Sequence, residues 1–412
     1  MITKTYRRKI LYHYLLPIAS LSVICLALFT YKYEWIDFQR VEPIVTDTLP
    51  TPDTLTEASF MFAGDVMQHK PQINASYNSE TKTYNFEPCF KYVRDLVNAA
   101  DMGFANLETT LSGEPYTGFP RFSAPDEVLS GLQTGGFDFI VTANNHSVDR
   151  GKEGIIKTLD ALNKYKLPCT GTFYNKAHRD STYPYFLTIN KIKFALLNYT
   201  YGTNGFDVPP PVIVNLIDTV QIRADFVKAL IGNPDAIIVQ IHWGEEYQRK
   251  ESRFQRNIAD FLIKMGADLI IGAHPHVVQP IEWRQVNNKK ALVAYSLGNF
   301  ISNQRKPNQD GGLLFYTKFQ KNLITNKIEI NNAGYIPTWV HLEQTTPAKK
   351  SYFVLPAAQY QADSLQPKLG KDPFTKLQQY LESTRILLNK NNQINEINPD
   401  SLINSKKKIV TK

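Results

Sequence analysis

Phe60-Met61-Phe62-Ala63-Gly64-Asp65, Ile237-Ile238-Val239-Gln240-Ile241-His242-Trp243-Gly244 and Leu269-Ile270-Ile271-Gly272-Ala273-His274-Pro275-His276 share one plan. In each, a short β-branched or aromatic apolar run stops abruptly at residues able to hold a hard metal ion or an anion. A fourth run, Phe139-Ile140-Val141, stops at Asn144-Asn145-His146. Such runs read as buried parallel strands, and open α/β sheets build their sites at the carboxyl ends of strands. Asp65, Asn145, His242, His274 and His276 are therefore expected to converge. Gly103-Phe104-Ala105 followed by Asn106-Leu107-Glu108 repeats the plan and adds a carboxylate able to bridge two ions. Nitrogen and oxygen donors without thiolate suit Mn, Fe or Zn better than a structural zinc site.

Helical periodicity fills the gaps between these runs, at Phe90-Tyr92-Val93-Leu96-Val97, Ile155-Ile156-Leu159-Leu162, Phe226-Val227-Leu230 and Phe254-Ile258-Phe261-Leu262. The result is a β-α alternation. Asp149 is placed to cap the helix opening at Gly151. Phe186 to Ile189 turns through Asn190-Lys191 into Ile192 to Leu197, the pattern of a hairpin. After Leu292-Val293-Ala294-Tyr295 the pattern changes to antiparallel strands at Leu313 to Phe319, Lys327 to Ile330 and Tyr335 to Leu342. The expected fold is α/β, two sheets packed between helical layers as a four-layer α/β/β/α sandwich.

The chain has 412 residues and a formal charge of +8. Lys4, Arg7, Arg8 and Lys9 at one end and Lys406, Lys407, Lys408 and Lys412 at the other account for that excess, so the middle is nearly balanced. No basic stripe interleaved with aromatics appears there, which argues against nucleic-acid binding. Ile10 to Tyr31 is apolar apart from His13 and a few hydroxyls, follows four cations, and is about long enough to cross a bilayer. The positive-inside rule puts the N-terminus in the cytoplasm and the main domain outside, on a single-pass anchor in the cytoplasmic membrane. A cleaved signal peptide is the competing reading; no small-x-small site follows Thr30, and Ile24 makes Ser22-Val23-Ile24-Cys25 a poor lipobox. Cys89 and Cys169 are left in the exported part, as two buried thiols or as a pair.

The expected organisation is a basic tip and transmembrane helix at 1–33, a Pro- and Thr-containing linker at 34–57, a site-bearing domain at 58–345, and a C-terminal helix with a polar, frayed tail at 346–412. The helix is expected near Phe374 to Leu388.

Gly64-Asp65-Val66-Met67, Asn106-Leu107-Glu108, Ala143-Asn144-Asn145-His146 with Asp149 and Gly151, His242-Trp243-Gly244-x-Glu246-Tyr247, Gly272-x-His274-Pro275-His276-Val277 with Gln279, and Ser296-Leu297-Gly298-Asn299-Phe300 resemble the ordered motifs of the CapA family of poly-gamma-glutamate capsule biosynthesis proteins. The resemblance runs from Ser59 to Phe300. It implies the fold of calcineurin-like metallophosphoesterases and a pocket for one or two divalent ions. In that likeness Glu108 bridges, Asp65 and His276 face one ion, and Asn145, His242 and His274 face the other. His146 sits beside substrate as proton donor, with Asp149 orienting it. Two positions depart from the phosphoesterase pattern: Met67 stands where a histidine is usual, with His69 nearby, and Ser147 stands where an acid is usual.

Two ions about 3.5–4 Å apart acidify a water and clamp both oxygens of an in-line displacement. Glu246 and Asp149 are candidates to receive the second N–H of ligating imidazoles. Asn106, Glu246 and Asn299 are candidate substrate contacts, and Asn299 reads equally as a turn residue. Trp243 and Tyr247 read as packing residues, while Arg121 and Arg150 lie near the motif loops and are able to bind an anion. The sequence therefore points to a membrane-anchored, metal-dependent hydrolase or transferase. Its expected substrate is a phosphoester or an anionic envelope polymer, and membrane synthase subunits are its expected partners. The alternative is a non-catalytic polymer-binding accessory subunit.

Overall fold

A computed structural model describes residues 54–344, 346, 350–360, 368–390 and 393–410, with side chains to 406. The expected anchor and nearly all of the linker lie outside the described residues. Among the described residues no helix is long and apolar enough to cross a membrane.

The apolar runs form strands in two separate sheets. The first contains β1 (Leu55–Val66), β2 (Met102–Leu107), β3 (Phe139–Val141), β4 (Cys169–Thr170), β11 (Asn299–Ile301), β12 (Gly311–Asn322), β13 (Ile328–Gln344), β14 (Lys350–Pro356) and β15 (Asn395–Glu396). Its order is β14-β13-β12-β1-β2-β3-β4, with β11 beside β1 and β15 beside β13. The second contains β5 (Tyr185–Ile189), β6 (Ile192–Thr200), β7 (Ala236–His242), β8 (Leu269–Ala273), β9 (Ile281–Val286) and β10 (Lys289–Ala294), in the order β9-β10-β8-β7-β6-β5. Pairs β1–β2, β2–β3, β6–β7 and β7–β8 are parallel, so their carboxyl ends emerge side by side.

Strand alternation sorts the side chains into layers, because successive residues point to opposite faces. Phe60, Phe62, Phe104 and Phe139 of the first sheet meet Phe194, Leu196, Ile238 and Ile271 of the second in one buried cluster. Phe60 and Phe194 touch edge to face at 4.8 Å, and Phe62 stacks on Phe104 at 5.0 Å. The alternate residues face outward: Met61, Ala63, Ala105 and Leu107 pack under α1 (Val128–Thr134) and Leu162 of α2 (Gly151–Lys164). On the far side Ile237, Val239, Ile241 and Ile270 pack under α3 (Thr219–Ile231) and α4 (Arg253–Met265). Two sheets thus lie between helical layers. The hairpin turns at Asn190 and Lys191, both at positive φ (48° and 67°), which matches the right-handed twist of its strands.

Several local expectations are corrected. The apolar positions from Phe90 to Val97 form two four-residue helices, Glu87–Phe90 and Arg94–Val97, and not one. Asp149 does not cap α2: the cap position is Arg150, and the Asp149 carboxylate is taken by His146 and by the backbone of Phe122. The two strands expected at 327–330 and 335–342 are one 17-residue strand, β13, which begins at Ile328. The first strand starts at Leu55, inside the expected linker. Nor does the site-bearing fold end at 345, since β14 pairs with β13 and α5 (Lys371–Asn389) packs beside them through Leu377, Tyr380 and Leu381. The tail is not frayed throughout: β15 pairs with β13 and is followed by α6 (Pro399–Val410). Arg385 holds Glu396 with two hydrogen bonds of 2.6 and 2.7 Å, a bidentate fork that compensates for the polar composition. Cys89 and Cys169 are both free thiols.

Two glycines permit the close approach of the strands under the site. A Cβ on Gly64 would stand 2.0 Å from the Gly298 carbonyl oxygen, and one on Gly272 would stand 1.9 Å from that of Tyr295 and 2.6 Å from Trp243 Nε1. Trp243 Nε1 donates to the same Tyr295 oxygen at 2.9 Å, so the obstruction is backbone locked to a buried indole. Gly272→Ala is expected to lower stability by about 2–4 kcal/mol, the range of severe overpacking. Urea denaturation of the full-length protein reads this directly, and an unchanged midpoint would contradict the packing described.

Candidate metal centre

Strands of both sheets deliver side chains to one place. β1 ends at Asp65, β2 is followed by Glu108, β3 by the 142–150 loop, β7 ends at His242, and β8 is followed by His274 and His276. Ligand atoms of Glu108, His242 and His274 lie within 4.8 Å of one another; so do those of Asp65, Glu108 and His276, and those of Glu246, His274 and His276. His274 and His276 both have positive φ, 99° and 57°, and flank Pro275. This sharp double bend in a strained region brings both imidazoles to one side.

Glu108 is fully buried, and neither carboxylate oxygen has a hydrogen-bond partner. Its Oε1 lies 3.5 Å from His242 Nε2 and 3.7 Å from His276 Nε2. His274 Nδ1 is likewise buried without a partner. Leaving such atoms unsatisfied costs on the order of 1–3 kcal/mol each, more for a charge. Oxygen and imidazole donors converging with orphaned atoms fit a hard or borderline divalent ion.

Asp65 anchors the cluster. Its Oδ1 accepts from Asn106 Nδ2 at 2.9 Å, and its Oδ2 accepts from His276 Nδ1 at 3.1 Å and from the His274 backbone N–H at 3.3 Å. Burial pushes this carboxyl up, but His276, the charge of His242 and the Asn106 amide outweigh it and hold the pKa down to about 2. Glu108 goes the other way, pushed well above the carboxylate range by burial and by the charge of Asp65. Burial lowers His242 to about 3 and takes His274 well below its usual value, with neighbouring imidazoles adding to both. His276 resists burial because Glu108 and Asp65 face it, and it rises to about 9. The Glu108–His276 pair therefore retains at least one proton at neutral pH, while His242 and His274 present neutral nitrogens.

Around this centre Asn145 Oδ1 lies 2.9 Å from His242 Nε2, and Asn145 Nδ2 donates to Asn204 Oδ1 at 3.1 Å. His146 Nδ1 is 2.8 Å from Asp149 Oδ2, which also accepts the Phe122 N–H at 2.7 Å. With Nδ1 engaged, Nε2 is the ring nitrogen left for a substrate. The Phe122 ring meets the His146 imidazole edge to face at 4.6 Å, fixing its plane. Met67 is 1% exposed. His69 stands beside Phe122 and Gln72 and is outside all three ligand groups.

Three candidate substrate contacts are placed differently. Asn106 is a positioning residue, bonded to Asp65 and 3.3 Å from His242 Nδ1. Asn299 is fully buried beside Asp65; its amide N–H groups go to Gln304 Oε1 and the Gln309 carbonyl, while its Oδ1 is buried without a partner. Glu246 is exposed at the rim, near His274 and His276. Trp243 packs in the core as expected, whereas Tyr247 is 44% exposed with its ring 6.1 Å from His276. Sequence reasoning passed over Tyr201 and Asn204. Tyr201 lies 4.6 Å, ring to ring, from His274, and Asn204 Nδ2 is 3.4 Å from His146 Nδ1. The signal was present: β6 is another apolar run, and it stops at Thr200-Tyr201-Gly202-Thr203-Asn204.

The chain is 26% identical over 360 residues to "PGA biosynthesis protein CapA" of Bacillus subtilis, covering 85% of this chain and 86% of that one. It is 27% identical over 289 residues to "Capsule biosynthesis protein CapA" of Bacillus anthracis, covering 66% of this chain and 64% of that one. Among solved structures, the calcineurin-like phosphoesterase YfkN from Bacillus subtilis aligns with 80% of this chain and 98% of its own at 14% identity, with a TM-score of 0.41, a level that adds nothing to the geometry. The family described as "Bacterial capsule synthesis protein PGA_cap" matches residues 59–304, a span that includes every candidate ligand of the centre, and the chain belongs to that family.

Proposed function

We propose that this chain works in capsule or cell-envelope polymer synthesis as a membrane-anchored, metal-dependent hydrolase or transferase of metallophosphatase-like architecture. Its substrate is a phosphoester or an anionic polymer of the poly-gamma-glutamate type, met outside the cytoplasmic membrane alongside membrane synthase subunits. The observation that carries this reading is the buried Glu108 carboxylate, unpartnered among imidazoles at the ends of strands from both sheets.

Glu108, His242 and His274 with Asn145 would hold one divalent ion, and Asp65, Glu108 and His276 another. Such ions supply charge neutralisation and an acidified water. The rest is done by the protein. Asn106 and the His274 backbone fix the Asp65 carboxylate, Asn204 steadies Asn145, and Asp149 holds His146 with Nε2 directed away from Nδ1, ready to protonate a leaving oxygen or nitrogen.

A second reading has its own observation. Met67, a thioether unsuited to hard ions, is buried two residues after Asp65, so the Asp65–Glu108–His276 group is left with three donors. A non-catalytic accessory subunit would use one ion as a handle for a polymer rich in carboxylates. Polymer binding would then survive His146→Ala and be lost with the metal ligands, whereas a catalyst loses turnover in both.

Elemental analysis of the purified full-length protein is expected to find one or two Mn, Fe or Zn per chain. His242→Ala, which removes a ligand, is expected to weaken metal affinity by at least about tenfold and to abolish phosphoester or γ-glutamyl turnover. A wild-type protein that takes up no metal would reject the reading.

Metal uptake should also expel protons. Glu108 and His276, both raised, together keep a proton until the pH passes about 9, and an ion must displace it. Apparent affinity should therefore rise as the pH approaches about 9 and fall as the pair is protonated. Titration calorimetry in buffers of different ionisation enthalpy is expected to show at least about one proton released at neutral pH; no release would contradict the proton inventory.

A further inference from the structure

A short two-stranded tip runs from Thr117 to Ser123 and is closed by reciprocal backbone hydrogen bonds of 2.9 Å between those two residues. Arg150 clamps the tip from α2 by donating to Thr117 Oγ1. Phe122, on this tip, is buried and bonded to Asp149 as described above. Its neighbour Arg121 is exposed.

That arginine is nonetheless fixed. Its Nε–H donates to the Asp149 carbonyl at 2.7 Å, and its guanidinium carbon stands 5.1 Å from the centroid of the Phe206 ring. Phe206 belongs to the loop after β6 that carries Tyr201 and Asn204. One side chain therefore spans the Asp149 backbone on one side and an aromatic face on the other, and its terminal Nη groups have no acid within ion-pair distance among the described residues. A planar fork of donors already immobilised by stacking loses little entropy on gripping a carboxylate or phosphate. Its position next to the His146–Asp149 pair sets it on the side from which a leaving group would be protonated. Phe206, 39% exposed, and Tyr201, 42%, on the same loop give this side apolar surface for the stem of a chain-like ligand.

From this arrangement we infer that Arg121 determines specificity, gripping a second anionic group, carboxylate or phosphate, on the leaving-group side of a substrate held at the centre. The inference rests on the metal-site reading above and narrows its substrates to those with two separated negative charges. A neutral ligand of the same shape forfeits this contact.

The test uses full-length protein in detergent micelles, with and without added Mn, and fluorescently labelled γ-linked glutamate and γ-linked glutamine hexamers. Anisotropy titrations compare wild type, Arg121→Gln, Arg121→Lys and, as a remote control on α3, Arg223→Gln. Arg121→Gln is expected to weaken the glutamate hexamer by about tenfold or more and the glutamine hexamer by less than about twofold, with Arg121→Lys between them and the control unchanged. A purely structural role for the Asp149 contact would weaken both hexamers equally and would overturn the inference, as would an unchanged affinity in Arg121→Gln. Displacement by inorganic phosphate far below the concentration of free glutamate that does the same would assign the fork to phosphate; the reverse assigns it to carboxylate. No binding by wild type of either hexamer or of phosphate overturns it too. Metal content is read in parallel: a metal-loaded protein indifferent to Arg121→Gln sinks this subsite and keeps the centre, whereas an unloaded protein that still loses the charged hexamer sinks the centre and keeps the subsite.

Discussion

A carboxylate buried without a single hydrogen bond is the constraint from which the rest of this structure can be understood. Glu108 sits at the end of a central strand, where water is excluded and its own charge is unfavourable. Moving such a group out of water costs several kcal/mol unless a positive charge meets it. The surrounding imidazoles do only part of that work, because burial drives His242 and His274 toward their neutral forms. His276 alone among the three is driven toward its cation, and it does so by facing both Glu108 and Asp65. The local arrangement is thus short of positive charge, with donor atoms of Asp65, His242, His274 and His276 gathered around Glu108.

Holding that arrangement demands rigidity from both sheets at once. The aromatic layer between them, with Phe60, Phe62, Phe104 and Phe194 in contact, gives a dry and stiff interface that offsets the cost of the polar site at its edge. Gly64 and Gly272 let backbones close to distances no side chain would permit, and these two close approaches lie directly beneath Asp65 and His274. The positive φ angles of His274 and His276 add strain at the same point. Tight packing below and strain above are two aspects of one requirement, that donors from five strand ends hold their relative positions to within a fraction of an ångström.

Much of this was legible in the sequence for a physical reason. Strands buried on both faces have to be apolar, so the first polar residue after each run marks a strand end, and the parallel ends of one sheet gather. Asp65 and His242 stand in the last two residues of their strands, Glu108 and His274 directly after theirs, and Asn145 and His276 within four residues of an end. What the runs do not encode is the partner of each side chain. Asp149 reads as a helix cap from its neighbours alone, yet a bond to His146 and one to the Phe122 backbone decide its role, and the second comes from a tip 27 residues away. Asn299 reads equally as a turn residue and as a substrate contact from its motif, and the loop it braces is visible only in three dimensions. The tail misled through composition: its many Asn and Lys residues conceal a strand held by the Arg385–Glu396 fork.

The donor sets on either side of Glu108 are unequal, and the inequality follows from two neighbouring residues. On one side the Asp65 oxygens are already engaged by Asn106, His276 and the His274 backbone, and Met67 contributes only a buried thioether. On the other, His242 and His274 are neutral and Asn145 adds an oxygen steadied by Asn204. An incoming ion meets Glu108 in either group, but in the first it must also take the proton from His276, whereas the second offers neutral imidazoles. On the proposed reading the two positions therefore differ in affinity in a fixed order, with the His242 side filled first. Glu246, exposed but within reach of His274 and His276, is the acid best placed to strengthen the weaker position once a substrate covers it.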